Sequence, residues 1–367
     1  MVESCDVGSL PFAGDVNKFL EGANCFGSST EDLRTKYFEE KIVEGFLHKI
    51  EAGILVPNYP QFRDMSNMFL SMIDGVEKVK GGYMETGLLS LHNGKDMLPE
   101  VEAIRKHSQD FYEKLGRQFK VRISITGPYT LASQFLYKDK RIFRRLGDVL
   151  AQIVESSVFG NKYGSVSLVA LDEPVFGLID DPLMDRGSEA RENLRKAWEL
   201  ILEKASSKNA QTCLHIHNTR DELFWEIKSL DIIESHVNDP IYQAKRTKRL
   251  LESTDKFLNA SITATDFDQL IRNHLIASSQ QEMSETAISE KIGETWKNIK
   301  EEEVNPVIFL ENTASMQKRL TKLIENFGAN RIAYSVPECG LRGFPTYECA
   351  LECLRRVANA TKAVTAK

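Results

Sequence analysis

The chain contains no run of about eighteen apolar residues, the least that spans a bilayer as a helix, so no membrane partner is expected. Its opening residues, Met-Val-Glu-Ser-Cys-Asp, have neither the basic nor the apolar region of a secretory signal, and a cytoplasmic protein is expected. A basic excess is missing too. The 47 Lys and Arg against 53 Asp and Glu leave a net charge of -6, which sets aside nucleic acid as a partner because there is no positive footprint for phosphates. Cysteine is sparse. Six in 367 residues, without dense spacing, argue for free or metal-bound thiols rather than a disulfide framework. Cys349 and Cys353, four apart on a predicted helix, read as packing residues. No Pro- or Ser-rich linker divides the sequence, so residues 1–367 are expected to form one elaborated domain.

What is present has the composition of a globular protein: 42% apolar and 27% charged residues, enough to bury a sizeable core. Short apolar runs alternate with amphipathic helical stretches. Candidate strands are Cys5 to Gly8, Ile54 to Val56, Val121 to Ile125, Ser167 to Leu171, Thr212 to His217, Asp231 to Glu234, Val307 to Leu310 and Arg331 to Val336. Eight strands alternating with helices predict an α/β fold, a closed (β/α)8 TIM barrel. Two regions exceed the simple count. Residues 74–98, with Gly81, Gly82 and Gly87, form an excursion after strand 2, a hairpin or a lid. Residues 255–303 contain a further possible strand, Phe257 to Ile262, followed by polar helical sequence, and read as an insertion before strand 7.

In such a barrel the active site lies at the C-terminal ends of the strands, and polar, Gly- and Pro-containing turns fall there repeatedly. In Thr212 to Thr219 the strand alternation turns Cys213, His215 and His217 to one face and Leu214 and Ile216 to the other. Taken alone, a His-x-His is as well explained by two hydrogen-bonded imidazoles near a surface. However, His236 and Cys339 follow neighbouring strands and would project into the same mouth. Three imidazoles and a thiol suit a zinc ion, with three or four of them binding directly.

The segments Val7-Gly8-Ser9-Leu10-Pro11, Ile125-Thr126-Gly127-Pro128, Leu171-Asp172-Glu173-Pro174, His215-Ile216-His217 and Pro337-Glu338-Cys339-Gly340-Leu341 run in order along nearly the whole chain. Together they resemble the catalytic domain of the cobalamin-independent methionine synthase family. The stretch Tyr59 to Met65 looks like the short, single-domain archaeal-type branch, and the length leaves no room for the amino-terminal barrel of larger members. The resemblance implies zinc-dependent methyl transfer to the sulfur of homocysteine, giving methionine. By motif, Gly8 and Ser9 would contact the amino acid's backbone groups, Asp172 would pair with its ammonium, and Glu173 would complete the substrate-binding set. His215 matches the first zinc ligand and Cys339 the last.

Three departures from the family pattern shape the expectation. The second ligand is His217 where the family has Cys. The third is His236, with Glu234 on the same face as its alternative. Gln134 stands where methylfolate users carry a stacking Trp, which points to a methylated corrinoid or a corrinoid protein as donor. Glu311-Asn312-Thr313 replaces the family's proton-donating His, leaving Glu311 as the candidate acid. The altered ligands keep two alternatives open: methylation of another small thiol of the coenzyme M type, or a catalytically silent metal- or ligand-binding paralogue.

Overall fold

Parallel strands buried on both faces need near-continuous apolar sequence, and the runs Val166 to Leu171 and Val121 to Ile125 supply it. In the computed structural model, which describes residues 2–26, 32–243, 245–279 and 283–366, seven parallel strands form one curled sheet. They are β1 (Glu3–Ser4), β4 (Phe119–Thr126), β5 (Gly164–Glu173), β6 (Gln211–Ile216), β7 (Ile232–Glu234), β8 (Phe257–Thr263) and β9 (Ile332–Pro337), in the order β1-β9-β8-β7-β6-β5-β4. An antiparallel hairpin, β2 (Ile73–Val79) and β3 (Gly82–Leu91), stands apart from this sheet within the 74–98 excursion.

Between the sheet edges β1 and β4 runs the segment 54–61. It makes isolated parallel bridges, Cys5 with Val56, Ser9 with Gln61 and Asn58 with Arg122, rather than a continuous ladder. Side chains complete the join. Lys49, fully buried, donates to Asp6 Oδ2 at 2.7 Å, to the Gly8 carbonyl at 2.7 Å and to the Asn58 carbonyl at 3.1 Å. The Asn58 amide donates to Asp6 Oδ1 at 2.6 Å, and the Tyr59 hydroxyl to the Ser124 carbonyl at 2.9 Å.

The two faces of the curled sheet differ. Inside lie Cys5, Leu168, Ala170, Cys213, Ile232, Tyr334 and Val336. Outside, Leu214, Ile216, Val169 and Leu171 join the larger core beneath the helices. Helix Ile142–Ser157 buries Leu146, Leu150, Ile153 and Val154 at helical spacing. It approaches helix Glu189–Ser206 so closely at Gly147 that a β-carbon there would sit 2.5 Å from that of Ala197. Ser188 caps the second helix by accepting from the Arg191 amide. No helix among the described residues is long and apolar enough to cross a membrane.

The sequence expectation needs correction in the last third. Val307 to Leu310 is not a strand: Pro306–Phe309 is a 3-10 turn, opened by Pro306 and capped by Asn305, whose side chain accepts from the Val307 amide. The strand is Phe257–Thr263, between β7 and β9. The residues read as an insertion before strand 7 therefore include that strand, and helices Phe267–Ser278 and Glu285–Lys300 follow it. An apolar run of four residues carries no periodicity by which strand and turn separate. At the other end, β1 begins earlier than Cys5 to Gly8, at Glu3, with Cys5 bridged beside it.

Candidate metal centre

Strand register builds the site in layers. Asp172 of β5 pairs with His215 of β6, which pairs with Glu234 of β7. Because parallel partners share a face, all three side chains point into the barrel. Two residues further along each chain the same face recurs, placing His217 and His236 one layer higher with ring centroids 4.0 Å apart. Cys339 enters from the turn after β9, its Sγ 3.6 Å from His217 Nε2. That turn is tied to the first strand end, where the Leu341 amide donates to the Ser9 carbonyl at 2.8 Å.

One donor atom from each of His215, His217, His236 and Cys339 lies within 4.8 Å of all the others. A tetrahedral zinc, with bonds of about 2.0–2.3 Å, holds its donors roughly 3.3–3.8 Å apart, a modest contraction of this cluster. Three buried ring nitrogens, His215 Nδ1 and Nε2 and His236 Nε2, have no hydrogen-bond partner, and buried polar atoms are rarely left so. Three nitrogens and a sulfur are also a donor set that a borderline-soft cation accepts. The residues fit a metal ion.

The electrostatics of the cluster point the same way. Burial pushes the Cys339 thiol up, but the nearby His215, His217 and His236 rings outweigh it and hold the group well below the usual cysteine value. Burial works against a charged His215, yet Cys339 and Glu234 beside it raise the ring to about 10. Burial keeps His217 below the ordinary histidine value. The surroundings thus favour the ionised form of the Cys339 thiol, the form that ligates a metal ion.

Glu234 is not part of the cluster. Its carboxylate, fully buried, is gripped by Arg122 Nη1 at 2.8 Å and Nη2 at 3.1 Å, and Oε1 lies 2.9 Å from His215 Nδ1 in a close but bent contact. Burial would raise this carboxyl, but the Arg122 charge and His215 bring it below the usual carboxylate range. Of the two alternatives for a third ligand, the geometry brings His236 to the other donors.

Other expected site residues divide. Asp172 is buried beside the cluster with Oδ1 unpartnered, and burial raises its carboxyl to about 6. Ser9 is half-buried at the mouth, its Oγ accepting from the Arg342 amide at 3.4 Å. The Gly8 carbonyl is taken by Lys49, and a β-carbon at Gly8, whose φ is +138°, would strike Asn58. Glu173 is a correction. Its carboxylate accepts from the Tyr129 and Thr130 amides, the Thr130 hydroxyl and the Trp198 indole at 2.7–2.9 Å. These bonds fix the turn after β4 and leave nothing for substrate. Glu311 is another. Arg319 holds it through two bonds of 2.8 and 2.6 Å, and it also accepts from the Ala264 amide. Burial pushes its carboxyl up, but the Arg319 bonds leave it below the usual range, and both oxygens are engaged by protein donors.

Sequence reasoning missed Arg122 and Glu338. Arg122 showed itself only as a charge inside an apolar strand. Glu338, beside Cys339, accepts from the Val237 amide at 3.0 Å and the Thr265 amide at 2.9 Å, fastening the turn that carries His236 to the one that carries Cys339.

Two solved structures align with the chain end to end. A B12-independent methionine synthase from Shewanella sp. W3-18-1, in complex with selenomethionine, is matched over 100% of this chain and 98% of its own, with a TM-score of 0.62 and 14% identity. A candidate vitamin-B12 independent methionine synthase from Listeria monocytogenes is matched over 98% of this chain and 96% of its own, with a TM-score of 0.58 and 16% identity. At such identities the likeness is one of fold. No protein-family model and no curated protein sequence matches the chain.

Proposed function

We propose that this protein is a zinc-dependent methyltransferase that moves a methyl group onto the sulfur of homocysteine, forming methionine, with a methylated corrinoid or corrinoid protein as donor. The observation that carries the reading is the convergence of His215, His217, His236 and Cys339 on one point of the barrel mouth, with the buried, unpartnered Asp172 carboxylate beside it. The motifs that resemble the methionine synthase family, and the shared fold, support it. Residues 1–367 are read as a single methionine-synthase-like catalytic (β/α)8 domain of the short, archaeal-type branch, with the segment 54–61 in the eighth place of the wall. Its setting is the cytoplasm, with neither nucleic acid nor membrane as partner.

In this reading three or four of His215, His217, His236 and Cys339 would hold the zinc, three of them leaving a position open for the thiol. Zinc in such a site supplies the Lewis acidity that keeps a thiol deprotonated at neutral pH. Asp172 meets the substrate ammonium, and the unpartnered oxygen favours homocysteine over an acceptor whose tail carries no cation. Ser9 and Gly8 face the amino acid's remaining backbone groups. The donor follows from what the mouth lacks. Gln134 is exposed and offers no aromatic face to a pterin, and Glu311, bound to Arg319, supplies no proton. A corrinoid donor needs neither: its cobalt–carbon bond breaks with the electron pair left on cobalt as the sulfur–carbon bond forms.

The test is methionine formation from homocysteine by zinc-loaded protein, with methylcobalamin and methyltetrahydrofolate in parallel. Product from methylcobalamin alone is expected. Product from methylfolate would overturn the donor, and no product from zinc-loaded protein with either donor or a methylated corrinoid protein would overturn the reaction. A second expectation concerns Asp172. Binding through a carboxylate requires its ionised form, so the KM for homocysteine should rise as pH falls through about 6. Asp172→Asn should remove that dependence and raise KM about 30- to 100-fold, the worth of a charged hydrogen bond of roughly 2–3 kcal/mol. Steady-state kinetics across pH 5–8 checks both.

A further inference from the structure

His215 is the deepest of the four candidate ligands, and the groups around its inner nitrogen form a built cradle. Nδ1 lies 2.9 Å from Glu234 Oε1, within reach but bent, so that a small turn of the ring is needed to align the hydrogen bond. Arg122 holds both oxygens of that carboxylate, at 2.8 and 3.1 Å, and Asn259 Nδ2 donates to Oε2 from the next strand. Arg122, Glu234 and Asn259 are all fully buried, and with His215 they come from β4, β7, β8 and β6. A guanidinium fork on a carboxylate fixes the plane of the carboxylate as well as its position. Glu234 is enclosed by Arg122, Asn259 and His215, whereas His215 Nε2, buried and without a hydrogen-bond partner, has no such carboxylate beside it and is free for the cluster to which His215 belongs.

We propose that Glu234 and Arg122 are a pair of positioning residues for the metal: Glu234 holds the proton of His215 on Nδ1, and Arg122 locks Glu234 there, so that only Nε2 faces the ion. The inference rests on the metal-binding reading above and extends it one shell outward. It explains why a carboxylate on the ligand-bearing face of β7 does not itself ligate: Arg122, reaching across the barrel, claims it. Carboxylate partners of this kind set the ring orientation and basicity of a ligating histidine, and their loss typically weakens metal binding about 10- to 100-fold.

Either single substitution leaves a buried charge without its partner and endangers folding, so the deciding variant is Arg122→Met/Glu234→Gln, which removes both charges together. Zinc affinity is read by competition with a chromophoric chelator, and the His215 ring by nitrogen-15 correlation spectra of the zinc-loaded protein. The wild type is expected to show a protonated Nδ1 and a metal-bound Nε2, an observation that needs no variant. The double variant is expected to hold zinc 10- to 100-fold more weakly and to lose the uniform Nδ1-protonated signature. Wild-type affinity in the folded double variant would overturn the inference and leave the metal site standing, as would a wild-type His215 bound through Nδ1. Absence of zinc binding by the wild type would overturn the metal site and this inference together.

Discussion

Cys339→Ala is expected to lower zinc affinity about 1,000-fold and to take methyl transfer below detection. Removing a direct ligand should exceed the ~10- to 100-fold that an outer partner costs, and Cys339 is the single anionic donor of the four. The loss should not come from misfolding. Cys339 is only half-buried on a turn, and the bonds that fasten that turn belong to Glu338 and Leu341. Chelator competition measures the affinity. Cobalt-loaded wild type should show a sulfur-to-metal charge-transfer band that the variant lacks. A variant holding one zinc at wild-type affinity would remove Cys339 from the site.

The second large effect lies away from the metal. Lys49→Met should destabilise the protein by about 3–5 kcal/mol, the usual cost of stripping one partner from a buried ion pair. The lost ammonium leaves Asp6 charged and buried, takes the donor from the Asn58 carbonyl, and leaves the Gly8 carbonyl only the Gln61 amide at 3.4 Å. Adding Asp6→Asn removes the stranded charge while keeping an acceptor for the Asn58 amide, so the double variant should recover more than half of the loss. Urea unfolding at neutral pH, followed by circular dichroism, measures both. A loss under about 1 kcal/mol for Lys49→Met would mean that water reaches Asp6.

Much of this could be read from the sequence because one physical signal served twice. The alternation that made Thr212 to His217 a strand also placed His215 and His217 on its inner face, and register carried Asp172 and Glu234 to the same depth. Cys339 and His236 followed from their positions after strands. What stayed hidden depends on partners far apart in sequence. Glu234 could equally be a ligand or an outer partner until Arg122, 112 residues away, is seen to hold it. Glu173 ends a strand and Glu311 follows a predicted one, as catalytic carboxylates do, but amides, Trp198 and Arg319 occupy them. Lys49 reads as a solvent-facing cation near a helix end, and only the fold shows that it is enclosed. The Val307 to Leu310 assignment failed for a local reason: four apolar residues after a proline suit a turn as well as a strand.

The side-chain join at 54–61 also implies an order of events. The longest ladders of the wall join β4, β5 and β6, whereas its eighth place is held by isolated bridges and by Lys49, Asp6 and Asn58, so it should part more readily there than between those strands. Sub-global opening costs least where the fewest backbone bonds must break together, so the amides of Val56, Tyr59 and Gln61 should exchange with solvent before those of β4 to β6. Ser9 is bridged to Gln61 of that segment, while His215 lies on β6 and His217 and His236 follow β6 and β7, away from it in the strand order. A transient parting would therefore loosen the surroundings of Ser9 while the imidazoles of the cluster stayed in place.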